Sequence, residues 1–88
     1  MLVKQHAAEL APHGITVNGI APTVVQTEAA ARWRADPERW KALLARIPLG
    51  RVAEPDDIVG AAIYFCAPAS AFVTGQVLYL DGGITATQ

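Results

Sequence analysis

The residues best spaced for binding chemistry form the stretch APTVVQT, residues 21–27. The stretch follows a predicted strand and reaches Thr27, whose hydroxyl suits the N-cap of the next helix. In open α/β sheets, ligands bind outside the carboxyl ends of the strands. A loop there offers backbone N–H and C=O groups and a threonine hydroxyl, which suit a carboxamide or a phosphate. The sequence therefore indicates a ligand-binding loop, by features that many strand-to-helix loops share.

The other polar residues do not indicate a self-contained catalytic centre. The sequence has no G-x-G-x-x-G stretch and no P-loop. His6 and His13 lack the spacing to Ser, Cys or carboxylate residues that would nominate a triad, so we expect both to be structural or solvent-facing. Tyr64 and Tyr79 lie in apolar segments, and neither is followed by Lys four positions later. We expect both tyrosines to pack in the core.

The polar residues considered above must be positioned by helices and strands, and two of the predicted helices flank the central part of the sequence. Residues 1–11 are predicted to form a helix that ends at Pro12 and Gly14. Because no N-cap residue precedes this helix, we expect the chain to be truncated at its start. Residues 54–68, EPDDIVGAAIYFCAP, are predicted to form a second helix, with Pro55 and two acidic residues in its first turn.

Two further helices are predicted between residues 27 and 46. Thr27 suits the N-cap of the first, and Asp36, followed by Pro and Glu, suits the N-cap of the second. Trp33 and Trp40 are seven residues apart and should lie near the same side of this pair. The two tryptophans either pack in the core, form a mobile cover over a cleft or contact a substrate directly.

Two strands are predicted. Residues 15–21, ITVNGIA, form a β-branched strand that stops at Pro22, and Gly19 within it can allow another backbone or a ligand to come close. Residues 76–80, QVLYL, contain an unbroken apolar run, which is typical of a strand buried on both faces. Strands that alternate with helices favour an α/β fold with a parallel sheet. Because a complete sheet of this kind needs more strands, we expect the chain to hold only part of one.

Composition excludes several classes of function. The net charge of −1 and the 17% of charged residues give no electrostatic case for binding nucleic acid or an anionic membrane. The basic residues of segment 32–46 are interrupted by acidic ones and are typical of a solvated helix face. No apolar run reaches the ~18 residues of a membrane span, and no signal peptide is present, so we expect a cytoplasmic protein.

The last predicted helix is also expected to bury the only cysteine. Its apolar stripe is predicted to contain Ile58, Ala62, Phe65 and Cys66. Gly60 is expected to be a close-packing site. A lone thiol in this setting indicates neither a disulfide framework nor a metal site.

Four stretches in this order resemble the C-terminal part of the short-chain dehydrogenase/reductase family. They are AAELAPHGITVNGIAP, then a threonine four residues after Thr23, then IPLGRVAEPDDIVGAAIYF, and finally FVTGQVLYLDGG. Each stretch is loose alone, but together they cover almost the whole chain in the family's order and spacing. The resemblance implies the C-terminal portion of a Rossmann-type doubly wound parallel sheet, incomplete in this chain.

The resemblance also implies NAD or NADP as cofactor and an alcohol or ketone as substrate, in a homo-oligomer. The family's loop reads Pro-Gly-x-x-x-Thr and borders the nicotinamide. Here Pro22, Val25 and Thr27 match it, and Thr23 replaces the glycine. By this resemblance Thr27 bonds the carboxamide or the pyrophosphate. Residues 27–46 correspond to the substrate-binding cover, where Trp33 and Trp40 are the expected substrate contacts, and residues 76–80 to the last strand.

The departures from the family leave two functional hypotheses open. The family's Gly-rich cofactor loop and its catalytic Asn, Ser, Tyr and Lys would precede Met1, so no catalytic residue is expected within residues 1–88. The first hypothesis is a fragment of an NAD(P)-dependent oxidoreductase that is inactive alone. The second is a non-catalytic association module that docks on full-length relatives.

Overall fold

The computed structural model describes residues 2–23, 25 and 28–87, with residues 28–30 described by their backbone. Four α-helices and two strands occur in this part of the chain: α1 (Leu2–Leu10), β1 (Gly19–Pro22), α2 (Glu28–Arg34), α3 (Pro37–Arg46), α4 (Pro55–Cys66) and β2 (Val77–Leu80). Short 3-10 turns follow α1 and α4 and precede the C-terminus. The order confirms the α/β arrangement expected from the sequence.

The two strands form a parallel pair. Gly19 lies opposite Val77, and Pro22 lies opposite Leu80. The N–H of Gly19 donates to the carbonyl of Gln76 over 2.8 Å, just before β2. Because the strands are parallel, their carboxyl ends lie at the same edge of the sheet.

The first strand begins four residues later than predicted and includes Pro22. Before Gly19, side chains take over the pairing between the two segments. The N–H of Val17 donates to the Thr74 hydroxyl over 3.0 Å, and the Asn18 amide bonds the carbonyl of Val73 and the N–H of Gln76. Pro22 is tolerated because it occupies the last position of the strand, where its missing N–H breaks no ladder bond.

The helix boundaries agree with the local signals that predicted them. α1 ends at Leu10 and is followed by a 3-10 turn, Ala11–His13, which ends at Gly14 with a φ of 73°. The Asp36 carboxylate accepts from the N–H groups of Glu38 and Arg39 and caps α3. Pro55 occupies the first turn of α4, as predicted. The predicted N-cap at Thr27 lies outside the described residues.

The apolar stripe predicted for α4 is only half right. Ala61 is the buried residue of the helix, and Ile58 and Phe65 are half-buried beside it. These three positions, at i, i+3 and i+7, share one helix face, which packs against both strands. Ala62 and Cys66 are rotated off this face and are exposed, so the expected burial of the Cys66 thiol is wrong.

Two further core expectations for this part of the fold are wrong. A Cβ placed on Gly60 would meet no atom within 4 Å outside its own helix, so Gly60 is not a close-packing site. Tyr64 and Tyr79 are exposed rather than buried, at 44% and 60%. The ring of Tyr64 lies 5.7 Å from that of Phe65, centroid to centroid, and this contact does not bury it.

The apolar residues of β2 are exposed as well. Val77 and Leu78 each keep 40% of their surface in contact with solvent. The side chains therefore do not reach the double-sided burial that the unbroken apolar run predicts, because the described residues supply no complete layer on either face of the strand. Within the same described ranges, none of the helices is both long enough and apolar enough to cross a bilayer.

Candidate functional site at the carboxyl edge of the sheet

The site lies where both strands end. Thr23 follows β1 directly, and Asp81 follows β2 directly. A cavity of about 150 Å³ opens between them. Its lining consists of Thr23, Leu49, Arg51, Ala53, Asp57, Leu80, Asp81 and Gly82. The structure thus brings one of the predicted ligand-binding residues, Thr23, to the edge where parallel sheets bind ligands.

Two residues of the predicted binding loop are fixed by backbone pairing. Pro22 ends β1 opposite Leu80, and Val25, half-buried, forms an isolated parallel bridge with Ala53. The bridge joins the loop to the segment that precedes α4. Thr27 lies outside the described residues.

The turn after β2 forms one wall of the cavity. Gly82 has a φ of 61°, a left-handed conformation that side chains other than glycine rarely adopt. A Cβ on Gly82 would lie 2.6 Å from Cγ2 of the buried Ile47, so the loop after α3 packs directly on this glycine. The N–H of Leu49 also donates to the carbonyl of Gly82 over 3.0 Å. These contacts fix the loop after α3 against the end of β2.

Asp81 is a buried carboxylate held by the turn that it begins. Asp81 is only 7% exposed. Its carboxylate accepts hydrogen bonds from the Thr85 hydroxyl at 2.7 Å, the Gly83 N–H at 2.9 Å and the Thr85 N–H at 3.1 Å. The Thr85 hydroxyl and then the two N–H groups hold the pKa of the Asp81 carboxyl below its usual range. The carboxylate is therefore ionised at neutral pH and holds the turn closed.

Arg51 and Asp57 form the polar wall on the other side. The Arg51 guanidinium donates to both Asp57 oxygens, at 2.9 and 3.4 Å, and to the carbonyl of Val52 at 3.1 Å. Asp57 also accepts from the Glu54 N–H at 2.8 Å, at the start of α4. The Arg51 hydrogen bond, followed by the Glu54 N–H, lowers the pKa of Asp57, and Asp57 raises the pKa of Arg51. Both side chains stay charged over the physiological range.

The two tryptophans do not line this cavity. Trp40 is half-buried in α3 and lines a second, shallower cavity of about 370 Å³. The other lining residues of that cavity are Arg34, Leu44, Gly50, Arg51, Val52 and Glu54. Trp33 is 48% exposed on α2 and lines neither cavity. The assignment of Trp33 and Trp40 as substrate contacts stays a prediction. Arg51 lies in the walls of both cavities.

Sequence reasoning missed three charged residues of this region. Asp81 could have been found as a carboxylate directly after a strand, at the ligand-binding edge. Arg51 and Asp57 are six residues apart across a loop, and no periodic pattern indicates that they meet. His6 and His13 are exposed, as expected for solvent-facing residues, and the part of the chain that the structure describes holds no cluster of His, Cys, Asp or Glu suited to a metal ion.

Comparisons with known proteins agree on one family. The family model described as enoyl-(acyl carrier protein) reductase matches residues 1–85. An uncharacterised oxidoreductase of Mycobacterium tuberculosis is 54% identical over 91 residues, covering 98% of this chain and 33% of that protein. The L-xylulose reductase of Mus musculus is 44% identical over 87 residues, covering 99% of this chain and 36% of that protein.

Solved structures give the same result for the fold. A gluconate 5-dehydrogenase from Burkholderia cenocepacia, in complex with NADP and tartrate, superposes with a TM-score of 0.90 at 41% identity, covering 98% of this chain and 34% of that one. The Rossmann-type α/β class expected from the sequence is confirmed.

The chain spans about a third of the length of the curated relatives that it matches. The match nevertheless runs through nearly every residue of the chain, in one continuous order, at the level of sequence and of backbone. The resemblance carried by the four sequence stretches is confirmed, and the chain belongs to the short-chain dehydrogenase/reductase family.

Proposed function

We propose that residues 1–88 form the C-terminal part of a single NAD(P)-binding domain in an oxidoreductase that acts on alcohol or carbonyl groups. The observation that carries this proposal is the loop after β1, which opens beside a cavity at the carboxyl edge of a parallel sheet. Its supporting context is the membership of a family whose relatives include L-xylulose reductase and an NADP-bound gluconate 5-dehydrogenase. The chain alone carries out no turnover in this proposal.

The described residues fit the nicotinamide end of such a cofactor. Thr23 is exposed at the sheet edge, and the backbone of Val25 is fixed by its bridge to Ala53. The adjoining cavity of about 150 Å³ is several times the ~30 Å³ that one water molecule occupies in the liquid, which leaves room for a carboxamide-sized group. When bound, the nicotinamide supplies or accepts the hydride.

The roles of this chain's residues in the proposal are binding and orientation. Pro22 ends the strand at the edge of the sheet where the cofactor would bind. Thr23 and Val25 present backbone groups to the carboxamide, and Thr27 contributes its hydroxyl. Trp33 and Trp40 belong to the cover helices α2 and α3, with Trp40 on the substrate side. The proposal assigns no proton transfer to Tyr64 or Tyr79, because neither has a Lys four residues later.

The proposal is tested by joining residues 1–88 to the part of mouse L-xylulose reductase that precedes its matching segment. This fusion should bind NAD(H) or NADP(H) and reduce carbonyl compounds, whereas residues 1–88 and the upstream part alone should do neither. Turnover by residues 1–88 alone, after removal of contaminating dehydrogenases, would contradict the proposal, and so would a folded fusion that binds neither nucleotide.

A matched pair of variants tests the loop. In the fusion, Thr27→Ala should weaken nucleotide binding about tenfold, the equivalent of ~1.4 kcal/mol for one lost hydrogen bond to a polar ligand. Thr16→Ala, which removes the same hydroxyl from an exposed position before β1, should leave the dissociation constant unchanged. Calorimetric titration with NADP⁺ and NAD⁺ measures both. An equal loss of affinity in the two variants would show that the Thr27 hydroxyl does not bond the nucleotide.

A second candidate function is association with a full-length relative or with a further copy of the chain. The exposed apolar side chains of β2 and of the outer face of α4 favour it, among them Tyr79 and Ile63. If this is the function, residues 1–88 should co-sediment with the full-length M. tuberculosis relative. Tyr79→Asp, which places a charge on the exposed strand, should abolish the complex, whereas Thr87→Asp at the far turn should not.

A further inference from the structure

The guanidinium of Arg34 lies over the indole of Trp40. Its Cζ atom is 5.6 Å from the ring centroid, a cation–π contact that joins the end of α2 to α3. Such a contact attracts the guanidinium to the face of the ring without using its N–H donors in a hydrogen bond. Arg34 is therefore oriented by Trp40 while its donors stay available to an acceptor.

The cavity beside this pair has the size of a small-molecule site. Its volume of about 370 Å³ lies within the roughly 300–1,000 Å³ of ligand pockets. Trp40, Leu44 and Val52 give it an apolar wall, and Arg34, Arg51 and Glu54 are its charged residues. An apolar wall with a few charged groups fits a ligand that has a short carbon body and a charged end.

The two arginines of the cavity differ in whether they already pair with a carboxylate. Arg51 is bonded to both oxygens of Asp57, outside this cavity, so its charge is already compensated. Among the side chains that the structure describes, those of residues 2–23, 25 and 31–87, the ion pairs are Arg39–Asp36 and Arg51–Asp57, and Arg34 belongs to neither. Arg34 is thus the cavity's available cation, and the exposed carboxylate of Glu54 is its only acid.

The surrounding helices carry a net positive charge, as Arg34 does. Segment 32–46 carries five basic and two acidic side chains, a net charge of +3, although the whole chain carries −1. A surface with this excess of positive charge attracts anions over the Debye length of physiological salt, ~8–10 Å. Most of this segment is a solvated helix face, and Arg34, over Trp40 at an apolar cavity, gives it one defined position for an anion.

We propose that Arg34, held on Trp40, binds the carboxylate of a small organic acid, whose carbon chain lies against Trp40 and Leu44. This inference rests on the proposed function, since it names the class of substrate that the cover helices select. A carboxylate pairs bidentately with a guanidinium, as a phosphate also can, and an organic acid is favoured over inorganic anions because its carbon body can lie against the apolar wall of Trp40 and Leu44. Glu54, at the same cavity, opposes the binding of any anion.

The binding test is made on the fusion, with any tryptophan of the upstream part replaced by phenylalanine, and uses the fluorescence of Trp40. Trp33→Phe leaves Trp40 as the only tryptophan of residues 1–88. D-gluconate should change its emission with saturation, whereas D-glucitol, the polyol without the carboxylate, should not at matched ionic strength. Arg34→Met should weaken gluconate binding about ten- to a hundredfold, as expected for a lost charge-assisted hydrogen-bond pair. Arg32→Met, which removes the same charge two residues earlier, should weaken it less than about threefold.

A variant with the opposite sign separates charge recognition from damage to the fold. Glu54→Gln should strengthen gluconate binding by about two- to fivefold, because it removes a like charge from the cavity. Equal responses to gluconate and glucitol would overturn the inference, as would equal losses in Arg34→Met and Arg32→Met. Inorganic phosphate that binds as tightly as gluconate would overturn the assignment to a carboxylate.

Steady-state kinetics of the same fusion give an independent measurement. There, Arg34→Met should raise KM for 2-oxo acids about tenfold and leave KM for neutral ketones unchanged. A fusion that reduces neutral ketones, with no effect of Arg34→Met on acids, would refute the inference and leave the proposed function intact. A folded fusion without nucleotide binding would refute the proposed function, and the gluconate titration of that same folded fusion would then decide the inference alone.

Discussion

Asp81 shows how one carboxylate can hold the ligand-binding edge of the sheet in place. It follows the last residue of β2, and its two oxygens accept three hydrogen bonds from the turn that comes next. A buried carboxylate requires such partners, because leaving its oxygens unsatisfied would cost free energy. The turn that Asp81 stabilises contains Gly82, against which Ile47 and Leu49 pack. A change at Asp81 should therefore reach the loop after α3.

The stability contributed by Asp81 should depend on pH with a defined sign. Its folded pKa lies below the ~3.9 of an unfolded Asp, so the contribution is present above about pH 3.9 and is lost as pH falls through the folded pKa. Thr85→Val removes the main cause of this lowering. The fusion with Thr85→Val should melt at a lower temperature at pH 7, and the difference from the parent should narrow below about pH 4.

Thr87→Val is the matched control for that experiment. The Thr87 hydroxyl belongs to the same 3-10 turn but donates to the carbonyl of Ile84 instead of to Asp81. Its removal should lower the melting temperature equally at every pH. Thermal unfolding followed by circular dichroism from pH 7 to pH 3 distinguishes the two variants, and a constant difference for Thr85→Val would show that the hydroxyl does not act through the Asp81 carboxylate.

At the scale of elements, α1 is fixed on the sheet by a close approach at Gly19. A Cβ there would lie 3.2 Å from Cγ2 of Val3 and 3.5 Å from Cγ2 of Val77. The first distance is tighter than ordinary van der Waals contact, and a valine in a helix cannot easily rotate away because its χ1 is restricted. The sequence predicted that another backbone or a ligand comes close to Gly19, whereas the close neighbours in the structure are the side chains of Val3 on α1 and of Val77 on β2.

Gly19→Ala should therefore destabilise the fusion by about 1–2 kcal/mol through overpacking. With Val3→Ala as background the obstacle is absent, and the same change should be neutral or stabilise by up to ~1 kcal/mol, because alanine restricts the unfolded chain. Urea unfolding of the four proteins in this double-mutant cycle measures the coupling. If Gly19→Ala had the same effect in both backgrounds, the packing of α1 on β1 through Val3 would be disproved.

The elements that sequence reasoning placed well are those with local causes. The Asp36 cap and the Gly14 exit depend on neighbours within a few residues, so the sequence predicts them. The start of β1 was missed because the side chains of Asn18 and Thr74 bond across 55 to 58 residues of sequence. The same applies to the site: Thr23 was predicted from its place after a strand, whereas the pairing of Arg51 with Asp57 depends on the path of a loop.

The molecule as a whole is less compact than a domain of its length. Its radius of gyration is 15.8 Å, against roughly 12 Å for a compact chain of 88 residues. Its accessible surface is 6459 Å², against roughly 5,000 Å² for a folded monomer of this mass. Among the described residues, four apolar side chains are buried and two of these are alanines, whereas eleven large apolar side chains are exposed. The hydrophobic stabilisation available within the chain is therefore small.

Isolated residues 1–88 should accordingly lack a cooperative, concentration-independent thermal transition. A pair of parallel strands with one buried helix position at α4 cannot offset the ~1–2 kcal/mol of backbone entropy that each ordered residue costs. The fusion, which adds the remaining strands and helices of the family's fold, should unfold cooperatively. Circular dichroism at 222 nm during heating, at two protein concentrations a decade apart, measures both. A sharp transition of the isolated chain at the same temperature in both samples would mean that the buried residues found here suffice to fold it, and that the exposed strand β2 needs no further layer.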